Sequence, residues 1–175
     1  MSAPTLTDGA VTLRALVADD AEALFAAHGD PETHRFWAGP PHADIAQTRA
    51  YTEGTIRSAD GDAWAITTDG GQALGRIALF TLREGVGELG IILRPDAAGR
   101  GIGRRAVDLV TAHAFETRRL HRLVADVDPE NVASMTLFTR AGFTREALLR
   151  GNWKTHIGIR DTALFVKLNY PRAPS

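Results

Sequence analysis

The chain has 175 residues, 44% of them hydrophobic and 23% charged, with a net charge of −1. Those totals fit a single globular domain with a proper core and give no support to a general nucleic-acid binder. There is no cysteine, which removes disulfides, zinc–thiolate centres and thiol nucleophiles from consideration.

Met1 to Gly9 has neither the basic start nor the apolar core of a secretory signal. No apolar run approaches the ~20 residues that span a bilayer, so a cytoplasmic protein with no membrane partner is expected. Val11 to Leu16 alternates as a strand, and Asp19 can cap a helix from Asp20 to about His28. Pro31 opens a short helical turn through Trp37, Gly39-Pro40-Pro41 breaks it, and a second helix runs from Ala43 to about Ser58. Ala63–Thr68 and Ala73–Leu82 read as strands around the turn Asp69-Gly70-Gly71-Gln72, with Glu84-Gly85 turning into a strand at Glu88–Leu93. From Gly101 to about Glu116, Ile102, Ala106, Val110 and Ala114 recur at helical spacing. Leu123–Val127 is a short buried strand, and Asp128-Pro129-Glu130-Asn131 turns into a helix ending at Ala141-Gly142. Phe143–Leu149 and Thr162–Leu168 form a last antiparallel pair joined by a long loop, Arg150 to Asp161. The result is one α/β domain over residues 1–175, with a core of 8–170, a tail of 171–175, and a mixed sheet whose first half is antiparallel.

The most informative stretch is Leu93-Arg94-Pro95-Asp96-Ala97-Ala98-Gly99-Arg100-Gly101-Ile102-Gly103-Arg104-Arg105-Ala106. A strand enters a glycine-rich turn, and the turn enters an amphipathic helix. Glycine lets several backbone N–H groups converge without Cβ obstruction, and the helix adds its own free N–H groups and the positive end of its dipole. Such a turn suits phosphate, with Arg100, Arg104 and Arg105 beside it. A rival reading is the dinucleotide pattern Gly101-x-Gly103-x-x-Ala106, with Asp126 as the ribose acid. That pattern needs a tight turn directly after an early strand of a parallel sheet; here Pro95 to Arg100 intervene.

The strand–Pro–glycine-turn–helix unit, then Asp128-Pro129-Glu130-Asn131-Val132-Ala133-Ser134 and Ala141-Gly142-Phe143, resembles the GNAT acetyltransferases. Leu13-Arg14-Ala15-Leu16, Asp30-Pro31-Glu32, Trp64-Ala65-Ile66 and the segment from Glu146 to Arg150 followed by Asp161 are similar to the RimJ/RimL branch, which acetylates ribosomal-protein N-termini. The resemblance implies a mixed, mostly antiparallel sheet of about seven strands flanked by helices. It implies acetyl-CoA as co-substrate, no metal, and a protein N-terminal amine as acceptor, with a small-molecule amine (an antibiotic, polyamine or amino-acid derivative) as the alternative. A homodimer is an arrangement it allows. The family's glycine motif falls on Ala98, Gly101 and Gly103; Ala98 departs from the usual polar first position. The backbone of Gly99, Arg100, Gly101, Ile102, Gly103 and Arg104 would then hold the pyrophosphate. Ile92 and Leu93 fall on the strand whose backbone takes the pantetheine arm, with Leu93 polarising the acetyl carbonyl. Asn131 and Ser134 match positions near the pantetheine and the sulfur.

An amine attacking a thioester needs a proton acceptor and support for the leaving thiolate. Glu88, sharing a strand face with Gly90 and Ile92, is the candidate base; a solvated or ion-paired carboxylate is the alternative, and Glu84 is a weaker choice because it belongs to a turn. Many GNAT enzymes use a tyrosine acid where this chain has Phe138, so Ser134 becomes the nearest hydroxyl to the sulfur; the alternative is a serine bonded back to its own helix. Phe36, Trp37 and Trp153 fall in segments that, by the resemblance, border the acceptor groove. Trp37 and Trp153 are candidate walls of it, with a packing role as the alternative, and Arg35 and Asp44 are alternatives for acceptor charge. None of the six histidines shows metal-ligand spacing; His113 reads as packing and His156 as a loop residue. A non-catalytic acyl-CoA-binding module is the reading from another class.

Overall fold

The computed structural model describes residues 2–60 and 62–170; the tail at 171–175 lies outside them. The strands are β1 (Leu6–Thr7), β2 (Thr12–Ala15), β3 (Ala63–Thr67), β4 (Gly75–Arg83), β5 (Val86–Leu93), β6 (Arg122–Val127), β7 (Thr144–Thr155) and β8 (Gly158–Leu168). They form one mixed sheet in the order β1-β2-β3-β4-β5-β6-β8-β7. Only β5 and β6 run parallel among the described pairs. The sheet thus has eight strands where about seven were expected, and the two-residue β1, paired to Thr12 and Leu13, is too short to show a periodicity.

Period-two alternation sorts each strand into two faces. Leu13, Trp64, Ile66, Ile77, Leu79, Leu89 and Leu123 point to one side. There they meet α4 (Ile102–Ala112) and α5 (Val132–Arg140) through Ala106, Val107, Val110 and Phe138. Leu123, Val107 and Val110 are completely buried, each worth about 1.5–3 kcal/mol. The other side carries small residues, Ala63, Ala65 and Ala78, and their size lets α1 (Ala21–His28) and α3 (Ile45–Ser58) settle close against the sheet. The one-turn α2 (Pro31–His34) follows α1, opened by Asp30, whose carboxylate accepts from Thr33 N–H at 2.8 Å. The apolar repeat from Gly101 to Glu116 covers α4 and a π-turn over His113–Thr117.

Two expectations change. The segment Arg150–Asp161 is not a loop: β7 and β8 run through it as an exposed hairpin, with Trp153 opposite Arg160 and Thr155 opposite Gly158. An arm that buries neither face leaves no hydrophobic alternation to read. The second helix starts at Ile45 because Asp44, with extended backbone, caps it by accepting the Gln47 N–H at 2.8 Å. Asp44 is thus a helix cap rather than a group for acceptor charge. Asp44→Ala should lower stability by about 1 kcal/mol in urea unfolding and leave turnover unchanged.

Candidate active site

Beside β5 the sheet opens. Val86, Gly87 and Glu88 pair with Arg122, Leu123 and Val124 of β6, and pairing stops there although β5 continues to Leu93. Arg94 N–H donates to the Leu74 carbonyl at 2.8 Å, so the even-numbered residues of β5 spend their backbone groups on β4. Alternation turns the backbone groups of Ile91 and Leu93 toward the gap. The gap continues into a cavity of about 330 Å³, bordered by Glu88, Gly90, Ile91, Asp126, Ser134 and Trp153 among others.

The glycine turn stands at the mouth of this gap. A Cβ on Gly103 would lie 3.0 Å from Leu93 Cδ1, 3.7 Å from Leu137 Cδ1 and 3.8 Å from Ile91 Cδ1. That close approach holds the start of α4 against β5 and α5. Gly101, with φ +76°, is the N-cap of α4 and offers no side-chain acceptor. The amides of residues 99–104 find no acceptor among the described residues. They form a cluster of free donors at a positive helix end, which is what an anion needs. Arg104 is paired with Asp108 and Arg105 with Asp8, each at 2.7 Å; Arg100 is exposed and in none of the ion pairs among the described residues. The Ile102 side chain is buried in the core, so only its amide faces the turn. Ile92 is corrected as a binding residue. It pairs with Arg76 on β4, its side chain is 5% exposed, and neither group reaches the gap. Leu93 lies beside the glycine turn and not on the cavity wall. A carbonyl at the cavity would therefore be polarised from Ile91, deeper along the strand.

At the inner end stand two carboxylates. Glu88 has no ion-pair or hydrogen-bond partner among the described residues. Burial, and then the Asp126 carboxylate, push its pKa above the ordinary carboxylate value. Asp126 accepts the Trp153 indole N–H at 3.2 Å. Asn131 caps α5 by accepting the Ser134 N–H at 3.1 Å; its amide nitrogen stays free for a ligand. Thr55, Ser58 and Thr139 all bond back to the carbonyl four residues earlier. The Ser134 hydroxyl does not, and it borders the cavity. Phe138 is buried against Phe143 and Phe165 and supplies an apolar floor there.

Opposite this acidic end, Arg76 of β4 is 1% exposed yet borders the cavity. The Trp37 and Tyr51 rings lie 5.1 and 5.3 Å from its guanidinium carbon, and one Nη donates to the Tyr51 hydroxyl at 3.2 Å. Nε and the other Nη have no acceptor. Cation–π contacts contribute about 0.5–2 kcal/mol each, whereas an uncompensated buried ion costs several kcal/mol. The rings alone do not balance this charge. Around it are His28, His34 and His42, all buried. Burial first, and for His28 the Arg76 charge next, hold them uncharged, with His28 pushed down to about 2 and His34 to about 4.

The three histidines bring ring nitrogens within 4.8 Å of one another, a grouping able to hold a metal that their sequence spacing does not show. Their geometry fits coordination poorly. The His28 and His42 rings stack at 13°, with centroids 4.8 Å apart, so their in-plane lone pairs run side by side instead of converging. A dication would also sit beside the uncompensated Arg76. The cluster is a neutral aromatic wall, in which His42 Nδ1 and Thr48 Oγ1 share a 2.9 Å hydrogen bond.

Of the remaining candidates, Trp37, Phe36 and Trp153 border the cavity. From the β7–β8 tip His156 is fastened to the segment after α2: its ring nitrogen lies 3.1 Å from the Trp37 carbonyl and its backbone N–H donates to the Ala38 carbonyl at 2.9 Å. Arg35 pairs with Glu130 at 3.8 Å. His113 packs edge-on to Trp64, remote from the cavity, and Glu84 sits in an exposed turn. Arg76, Tyr51 and the Asp128–Arg160 ion pair (2.7 Å) at the base of α5 were missed. An arginine at the centre of an apolar strand, Gly75-Arg76-Ile77-Ala78-Leu79, was the one available signal.

A mostly antiparallel sheet that parts beside a phosphate-type turn defines an acyltransferase of the GNAT class and disposes of the dinucleotide reading, which requires parallel strands. The family model of the acetyltransferase (GNAT) domain matches residues 10–144. The chain belongs to the GNAT acetyltransferase family, and it is an acetyltransferase enzyme. It is 28% identical to the uncharacterized N-acetyltransferase p20 of Bacillus licheniformis over 92% of this chain and 94% of that one. Among solved structures, the GNAT-family acetyltransferase from Bacillus anthracis superposes with a TM-score of 0.85 at 17% identity, covering 94% and 98% of the two chains. Spermidine N-acetyltransferase from Vibrio cholerae, in complex with CoA and spermine, superposes at 0.77 with 19% identity, covering 92% and 96%.

Proposed function

We propose that the enzyme moves an acetyl group from acetyl-CoA to a small primary amine by direct attack. The observation that carries this reading is the row of free amides at residues 99–104 at the mouth of a gap lined by unpaired β5 backbone. Those amides would hold the pyrophosphate, and the backbone of Ile91 and Leu93 would receive the pantetheine arm. The thioester supplies an electrophilic carbonyl carbon and a thiolate leaving group.

The chain's own residues supply the rest. Asp126 keeps that end of the cavity attractive to a cationic amine. Glu88, directly or through one water, takes the proton whose loss leaves the neutral nucleophile, and the second proton, lost as the C–N bond forms, goes to the departing thiolate. Ser134 donates a hydrogen bond to the sulfur as the C–S bond breaks; Phe138 cannot. CoA bound to the V. cholerae neighbour supports the choice of donor. A small acceptor is supported by the cavity's volume of about 330 Å³ and by Trp37 and Trp153 on its walls. The protein N-terminus implied by the RimJ/RimL likeness is supported by solved neighbours such as Mycobacterium smegmatis RimJ; the cavity's size favours the small amine.

Gly101→Val, forced to φ +76° with a β-branched side chain, should weaken CoA binding about tenfold or more in calorimetry; unchanged affinity would remove the phosphate role. Since Glu88 works as a base only when ionised, its raised pKa predicts that kcat falls with decreasing pH through a value above the ordinary carboxylate range. Glu88→Gln should lower kcat about 10²-fold or more and abolish that limb. Ser134→Ala should lower kcat about 10–100-fold with little change in KM for acetyl-CoA.

A further inference from the structure

We infer that the acceptor amine also carries an oxyanion, a carboxylate or phosphate, and that Arg76 receives it. This inference rests on the acetyl-transfer reading and adds the acceptor's second functional group. Arg76 is buried on the cavity wall with two nitrogens lacking acceptors. No carboxylate among the described residues lies within ion-pair distance of it, although the protein pairs Arg14, Arg94, Arg104, Arg105, Arg122 and Arg160 with acids. Its surroundings supply no negative charge either, being Trp37, Tyr51 and three neutral histidines. A guanidinium cannot relieve its burial by losing its proton at working pH. An anion brought by the ligand is the remaining way to neutralise it.

Register fixes where that anion would lie relative to the reaction. Arg76 is opposite Ile92 and Phe80 is opposite Glu88, so Arg76 and Glu88 occupy one sheet face, four residues apart, or about 13 Å along the strands. The cavity therefore has a cationic wall at one end and the Glu88–Asp126 pair at the other. A zwitterion with its amine toward Glu88 and its anion toward Arg76 matches both ends. A polyamine matches only one, and its second cation meets Arg76. The guanidinium carbon lies over the Trp37 indole and both unpaired nitrogens are closed to solvent, so a covering side chain must move aside for the anion.

The test compares matched acceptors at saturating acetyl-CoA. The pairs are ω-amino acids of two to six carbons against their methyl esters, and phosphoethanolamine against ethanolamine, with spermidine as the all-cationic reference. In the wild type at least one anionic acceptor should exceed its uncharged counterpart about tenfold or more in kcat/KM; which series does so separates carboxylate from phosphate. Arg76→Gln should bring that ratio to within about twofold, and Arg76→Lys should keep part of it. Without turnover, and with the glycine turn filled by CoA, acetate or inorganic phosphate should raise the melting temperature of the wild type, and the Gln variant should lose that shift. If the Gln variant does not fold, the wild-type ratio at saturating acetyl-CoA, which already fills the glycine turn, decides. Turnover that favours spermidine or the esters, or a ratio untouched by Arg76→Gln, overturns the role of Arg76. No turnover with any amine, alongside an intact anion-dependent shift, overturns the acetyl-transfer reading instead.

Discussion

The parting of β5 from β6 is the constraint on which the molecule's chemistry depends. Three residue pairs hold the strands together at Val86–Glu88, and beyond them a strand in the middle of a sheet is left with one side unpaired. Unsatisfied backbone groups are costly in a core and useful at a site. The glycine turn follows from the same constraint. Gly103 packs against Leu93 and Ile91, so the free amides of the α4 start stand at the end of the same strand that offers its unpaired edge.

The parts of this arrangement that are local in sequence were legible there. Leu93 to Ala106 announces strand, turn and helix within fourteen residues, and the apolar spacing of α4 survives as its buried face. Glu88, Asn131, Ser134, Trp37 and Trp153 all border one cavity although they come from four segments. Their grouping came from a resemblance and not from periodicity. What stayed illegible depends on contacts across the fold. The β7–β8 arm buries neither face, so no alternation marks it. The wall around Arg76 draws on α1, the turn after α2, α3 and β4, and no spacing links His28, Trp37, Tyr51 and Arg76.

The two faces of the sheet divide the labour. One face, with Leu13, Trp64, Ile77 and Leu123, is a conventional apolar core that fixes α4 and α5. The other is lined by alanines, which let α1 and α3 settle close against it. Arg76, Phe80 and Glu88 lie on that second face, where the large and charged residues of the cavity wall stand beside the alanines. Alternation also gives β5 two functions at once: even-numbered Glu88 turns toward the acceptor side, while odd-numbered Ile91 and Leu93 direct their backbone into the gap.

Charge distribution gives the cavity a direction that shape alone would not. Water is largely excluded at Arg76, which is 1% exposed, and partly excluded at Glu88, whose raised pKa is caused first by burial. In such surroundings charges act over longer range than at the surface. The Asp126 carboxylate opposes ionisation of Glu88, so a cation arriving between them is favoured and shifts Glu88 toward the ionised form. At the far wall the neutral histidines do the reverse service: by staying uncharged they add no second cation to Arg76, and an anion there meets one full positive charge with no competing acid. Binding a molecule with both charges would relieve both ends in one event. A ligand with one charge leaves the other end as strained as before, so the same polarity that attracts an acceptor also selects among acceptors.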